Sequence, residues 1–235
     1  MGENEGTRRT PLNRDRVLAA AVAFADREAG GTDALSMRKL AQDLGVVPMA
    51  LYKHVANKEE LLAGMVDTVV GGIEPPAADA DWKAAVRERI LSARRALRRH
   101  PWAPRVIEAL PAPPPAVLGH LDAVIGLFRA GGLSVDLAHH AMHALGGRLL
   151  GFTQELFDAS PGPEAGPPDP RPALRYPHIA EVAATAAHAE GDGAAVGGGC
   201  DDQFEFEFAL DVLLDGIERL HLAGWTSTGA RRAVQ

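Results

Sequence analysis

Apolar positions recur at intervals of three and four along almost the whole chain, and no strand pattern competes with that reading. The spacing predicts a first helix over 13–29, capped by Asn13, with Val17, Leu18, Ala21, Val22 and Ala25 inward, Phe24 at the edge, and Gly30-Gly31 as its end. A second helix follows over 36–44. Ser36 caps it, Leu40, Ala41 and Leu44 share one face, and Arg38, Lys39, Gln42 and Asp43 point outward. Gly45 ends it in a left-handed turn and Val46 anchors that turn. Pro48 opens a short helix over 48–54, with Leu51 and Val55 inward. Asn57-x-x-Glu60 reads as the capping box of a fourth helix over 59–73, whose apolar side carries Leu61, Leu62, Met65, Val66, Val69 and Val70.

Pro75-Pro76 and the acidic residues 79–81 mark a boundary. Beyond it, helices are predicted over 82–100 (Val86, Ile90, Ala93 and Leu97 inward, Pro101 as the stop), 102–110, 116–130 (closed by Gly131-Gly132), 135–159 (capped by Ser134), 177–189 and 203–222. Phe204, Phe208, Val212, Ile217 and Leu220 are apolar positions of the last one. Residues 111–115 form a rigid proline break. Residues 160–175 and 190–202 read as flexible loops, and residues 1–12 as a disordered arm in which Arg8 and Arg9 can reach a polyanion.

Two short helices joined at a glycine turn are the layout of a helix-turn-helix DNA reader. The second helix leaves Met49, Ala50, Tyr52, Lys53 and His54 for solvent or a partner, beside the outward Arg38. That set suits a major groove, where side chains meet base edges. Lys58 stands in the first turn of the next helix, against the dipole preference for acids there, and a nearby phosphate explains it.

The run L-A-Q-D-L-G-V followed by A-L-Y-K-H-V-A-N-K-E-E-L-L resembles the DNA-binding domain of the TetR family of bacterial transcriptional regulators, most closely the tetracycline-repressor branch. The resemblance covers residues 13–73 well. A weaker one joins G-L-S-V-D-L-A-H-H-A-M-H-A-L-G-G-R-L-L-G-F-T-Q-E to the long bundle helix of that branch's regulatory domain. It implies that Arg38 reads a base, that Pro48, Met49 and Ala50 lie against bases, and that Tyr52, Lys53, His54 and Lys58 clamp phosphates. Pro48-Met49-Ala50 departs from the Gln-Pro-Thr of the branch, and Lys53 replaces its Trp, so a different operator is expected. The implied fold is all-α: a disordered arm over 1–12, a three-helix helix-turn-helix domain with its linking helix over 13–73, and a larger helical effector-binding and dimerisation domain over 74–235.

Charge agrees with that division. The chain of 235 residues carries a net charge of −7, yet residues 1–58 hold 9 Lys and Arg against 7 Asp and Glu, and the remainder 15 against 24. The net charge argues against a generic polyanion binder, and the asymmetry, with only the N-terminal part positive, suits a DNA head on an acidic body. One cysteine, Cys200, allows no internal disulfide, no apolar run is long enough for a membrane span, and no signal-peptide core is seen; a cytoplasmic protein is expected.

The resemblance further implies a small, lipophilic effector bound among the middle helices, a homodimer built from the helices over 135–159 and 203–222, and a palindromic double-stranded operator. Candidate pocket residues are Trp82, Trp102, Arg105, Phe128, His139, Met142, His143, Phe152 and Glu155. His139 and His143 share a helix face, but no further ligand at motif spacing accompanies them, so neither metal nor cofactor is expected. Glu155 resembles a position near the metal–drug complex of the branch, while 101–110 lacks the matching His, which argues against a magnesium–tetracycline effector. Rival readings are a regulator controlled by a protein partner, an activator, and a helical enzyme using His139 and His143. The last has no nucleophile motif or phosphate loop behind it.

Overall fold

Three side chains start helices where their sequence positions suggest. In the computed structural model, which describes residues 11–151, 176–178, 181 and 202–233, Asn13, Ser36 and Asn57 lie in extended backbone. They accept the N–H of Arg16, Lys39 and Glu60. Each satisfies a donor that a helix start leaves without a partner. The helices are α1 (Arg14–Arg27), α2 (Met37–Asp43) and α4 (Lys58–Gly71), with α3 (Pro48–Leu51) before the last. A short 3-10 turn over Gly31–Asp33, which the periodicity does not predict, leads from α1 to α2.

Then come α5 (Trp82–Arg99), α6 (Ala103–Ala109), α7 (Pro115–Ala130), α8 (Val135–Gly151), α9 (Asp202–Leu222) and α10 (Ser227–Ala233). Asp81, in the stretch expected as a boundary, is the cap of α5 and accepts the N–H of both Lys83 and Ala84. Helix α10 was not expected. Every regular element among the described residues is helical, and the fold is all-α. None of these helices is long and apolar enough to cross a membrane. The expected loop over 160–175, nearly all of that over 190–202, Cys200, residues 152–159 of the helix expected over 135–159, and most of the helix expected over 177–189 lie outside the described residues.

The inward stripes largely follow the apolar periodicity, with local differences. Phe24, expected at an edge, is buried, whereas Val22 and Leu44 are only half-buried. The chain forms two compact units, one ending at Ala138 and the other starting at His139. The first holds α5, α6 and α7 as well as the head, because α4 packs against α1 and also against all three of those helices. Its core includes Leu40, Leu51, Leu61, Met65, Val66, Val86, Phe128 and Leu133. Burying each large side chain of this kind stabilises the fold by about 1.5–3 kcal/mol. In the second unit, Leu145, Phe206, Leu210, Leu214 and Ile217 are buried.

Trp82 stacks obliquely on Phe128, with ring centroids 5.9 Å apart. Gly131, the residue after α7, permits this: a Cβ there would collide with Cγ and Cβ of Trp82. Gly131→Ala is therefore expected to destabilise the protein by about 1–3 kcal/mol through overpacking. Its urea midpoint should fall at unchanged slope; an unchanged midpoint would show that Trp82 moves aside freely.

Candidate nucleic-acid interface and the core behind it

Helix α2 is closed by backbone geometry that demands glycine. Gly45 has φ +66°, its N–H donates to Gln42 O at 3.1 Å, and the Val46 N–H donates to Ala41 O at 2.9 Å. Side chains other than glycine rarely adopt that conformation. Val47 then runs extended and Pro48 sets the first position of α3. The helix is shorter than the expected 48–54. The N–H groups of both His54 and Val55 converge on Leu51 O, at 2.8 and 3.0 Å, and the chain tightens there. Arg14, from the start of α1, holds this point. Its Nη1 donates to His54 O and to Glu60 Oε1, both at 2.6 Å. Glu60 Oε2 accepts the Ala56 N–H at 2.7 Å, so the capping box closes on Ala56 rather than on Asn57. That backbone donor and the Arg14 guanidinium hold the Glu60 carboxyl below the usual carboxylate range.

The result is a helix-turn-helix whose inner side is apolar and whose outer side is cationic and aromatic. Leu40, Ala41, Leu51 and Val55 are buried. Arg38, Pro48, Met49, Tyr52, Lys53 and Lys58 are exposed, and Ala50 and His54 are half-buried. Met49 is 72% and Tyr52 47% exposed, although both are large and apolar in body. Among the described residues Arg38, Tyr52 and Lys53 make no hydrogen bond or ion pair, which leaves their donors to a partner. Lys58 Nζ donates to Thr32 O at 3.2 Å and Lys39 Nζ to Ala34 O at 3.1 Å. Asp43, the acid on α2, is paired with Arg27 at 3.3 Å, so it does not offset these cations.

Three aspartates tie the head and α4 to the helices that follow. Asp26 of α1 accepts Trp102 Nε1 at 2.7 Å and lies 2.9 Å from His100 Nδ1. Asp33 pairs with Arg105 at 3.2 Å. Asp67 of α4 accepts the Ala116 N–H at 2.8 Å and so caps α7 from a distance. Helices α5 and α7, which pack together, carry a half-buried Arg89 and a buried His120 close enough for the guanidinium charge to act on the imidazole. His120 is only 8% exposed, and its Nδ1, like Nε of Arg89, is enclosed with no hydrogen-bond partner among the described residues. Burial, with the Arg89 charge added, pushes the His120 imidazole down to about 4.

Residues 18–65 match the family model "Bacterial regulatory proteins, tetR family", and residues 74–221 match "Tetracyclin repressor-like, C-terminal domain". The chain belongs to the TetR family. It is 32% identical over 225 residues to the HTH-type transcriptional repressor DrrR1 of Streptomyces coeruleorubidus, covering 89% of this chain and 78% of that one. A possible TetR family transcriptional regulator from Streptomyces coelicolor A3(2) superposes with TM-score 0.67 at 28% identity, over 88% of this chain and 100% of the other. The Streptomyces coelicolor TetR family protein ActR, solved in complex with actinorhodin, does so with TM-score 0.60 at 28% identity, over 92% of this chain and 99% of that chain. The protein is thus a TetR-family transcriptional regulator.

The candidate residues fall unevenly within this TetR-family chain. The DNA set is gathered on α2, α3, the turn that follows α3 and the start of α4. Of the pocket set, Trp82 and Phe128 are in contact. Trp102 is instead committed to Asp26, and Arg105 is a surface partner of Asp33. His139, Met142 and His143 lie on α8; the rings of His139 and His143 are 4.7 Å apart, and His140 meets Trp225 at 5.4 Å. No group of three or more metal-ligating side chains forms among the described residues. Phe152 and Glu155 lie outside them. Sequence reasoning missed Arg14, Asp26, Asp67, Arg89 and His120. His120 left one signal: it heads the series His120, Val124, Phe128, which is spaced by four and buried throughout.

Arg14→Ala is expected to weaken binding to every promoter sequence alike, since it releases the end of α3 without removing a base contact. Anisotropy titrations on an operator panel would show this, and wild-type affinity in the variant would contradict it. His120 titrates in the unfolded chain near 6.5 and in the folded one near 4. Between those values the unfolded state binds more protons, so stability falls as pH drops from about 6.5 to about 4, by at most about 1.4 kcal/mol per unit. His120→Phe should lose less stability than wild type between pH 7 and pH 5 in urea titrations; parallel losses would refute this.

Proposed function

We propose that this protein is a repressor that binds a palindromic operator as a homodimer and is released by a small, mostly apolar effector. The observation that carries the reading is the exposed set Arg38 on α2, Met49 on α3, and Tyr52 and Lys53 in the turn after it, around the Gly45 turn and above the buried Leu51. Arg38 reads a guanine edge through its donor fork. Pro48, Met49 and Ala50 offer apolar contact to bases, thymine methyls above all. Tyr52, Lys53, His54 and Lys58 meet phosphates and set the register. Repression is supported by the relative named as a repressor, and an effector by the relative solved with actinorhodin.

Helix α9 supports the dimer. It is apolar on two faces: Phe206, Leu210, Leu214 and Ile217 are buried, while Phe208 and Val212, with Phe204 in the same series, are exposed at 59%, 55% and 63%. A second copy of α8 and α9 covers that stripe in a four-helix bundle, which sets two recognition helices roughly 34–36 Å apart. Effector bound beside α5 and α7 shifts α4, through its packing on α7 and the Asp67–Ala116 bond, and changes that spacing. It must bind the DNA-free state more tightly, by the DNA affinity that is lost. Such a regulator acts in the cytoplasm.

The decisive test is binding of the purified protein to DNA upstream of its own and neighbouring genes, with single-base operator variants. Arg38→Ala should flatten the preference at one position per half-site, by about 1–3 kcal/mol. Lys58→Ala should weaken all variants alike and reduce the salt dependence. Equal losses for both substitutions on every variant, or no binding to any of these promoters, would sink the assignment.

A further inference from the structure

The polar pair between α5 and α7 is unusual for a core. Leaving a buried donor or acceptor without a partner costs about 1–3 kcal/mol, more for a charged group. His120 and Ser92 are the buried polar side chains of the described core, and Arg89 Nε and His120 Nδ1 are the enclosed side-chain atoms without a partner. Natural cores rarely keep such atoms unless something else completes them. We propose that Arg89 and His120 bind the acidic oxygen of the effector, and that the effector is an organic acid (carboxylate, phenolate or enolate) on an apolar body. This rests on the ligand-released reading above and names the chemistry of its ligand.

The charge of the missing group follows from the pair itself. Arg89 Nε–H donates only, and a guanidinium stays protonated. A cationic or ammonium ligand could donate to the imidazole but is repelled by the guanidinium and gives Arg89 no acceptor, and a wholly apolar ligand leaves both nitrogens unmatched. An anionic oxygen accepts from Arg89 and, with the imidazole proton on Nδ1, from His120 as well. Charge-assisted bonds of this kind are the strong ones. The surroundings agree. Helix α5 carries seven Lys and Arg (Lys83, Arg87, Arg89, Arg94, Arg95, Arg98, Arg99) against Glu88, in a region of the chain that is otherwise strongly acidic. On the apolar side, Val124 and Phe128 continue from His120 along α7, and Val86, Ile90 and Ala93 flank Arg89 along α5, all buried.

The test uses the full-length protein and matched probes: aromatic carboxylic acids of one to four fused rings, their amides and the corresponding aminomethyl compounds. Melting temperature and calorimetry are read for wild type, Arg89→Met, His120→Phe and the exposed-cation control Arg95→Met. At least one acid is expected to bind wild type and Arg95→Met at least tenfold more tightly than its amide or amine. Arg89→Met and His120→Phe should lose that preference while melting at or above the wild-type temperature, because an unmatched polar atom has been removed. The proposal is overturned if no acid binds wild type, if amide or amine binds as tightly, or if both variants keep the preference. It is also overturned if both variants melt well below wild type, the mark of a structural pair. Operator binding without effector, measured in parallel, separates this outcome from failure of the regulator reading: acid recognition can fail while DNA binding stands.

Discussion

Helix α4 cannot move alone. Its buried residues Leu61, Met65, Val66, Val69 and Val70 pack it against α1 in the head and against α5, α6 and α7 beyond it. A close-packed interior does not deform gradually, so displacing α4 from one set of neighbours displaces it against the other. Polar contacts reinforce the same join. Asp67 caps α7, Asp26 receives Trp102 beside His100, and Asp33 meets Arg105. The exposed ion pair adds little stability. The indole bond, half-buried, and the α7 cap fix geometry more firmly, since each removes a donor from a poorly solvated place.

On the proposed reading, this construction turns a local event in the core into a change of spacing between DNA heads. The recognition helix is itself too short to hold a position by its own hydrogen bonds. It is placed by Leu51 below, by the Gly45 turn before it and by Arg14 behind it. A rigid head on a linking helix shared with the core behaves as one lever. Its output is the separation of two heads, which a dimer converts into operator affinity.

The Arg89–His120 pair sits where stability and function oppose each other. An apolar core at these positions would fold more securely, as replacement of buried charged groups by well-packed apolar ones often shows. Retaining an imidazole that burial holds at about 4, next to a guanidinium, makes sense if a ligand supplies the missing acceptor. The free protein then carries a modest strain that binding relieves, and relief available in only one conformation is what biases a two-state switch.

Local signals in the chain announced the helices and the head. Apolar spacing of three and four, the caps Asn13, Ser36 and Asn57, the left-handed Gly45 and Pro48 all act within one or two turns, so they can be read in order along the sequence. The partners of Arg14, Asp26 and Asp67 lie 40 to 76 residues away, and no spacing rule links them. For the same reason the Asp26 and Asp33 partners of Trp102 and Arg105 are not legible in the sequence. Whether a histidine at the head of an apolar stripe is satisfied depends on what the neighbouring helix presents to it. The sequence by itself determined an all-helical chain with a cationic reading head. Only the tertiary structure decided which polar groups the core leaves without a partner, because hydrogen-bond satisfaction is a property of packed neighbours and not of order along the chain.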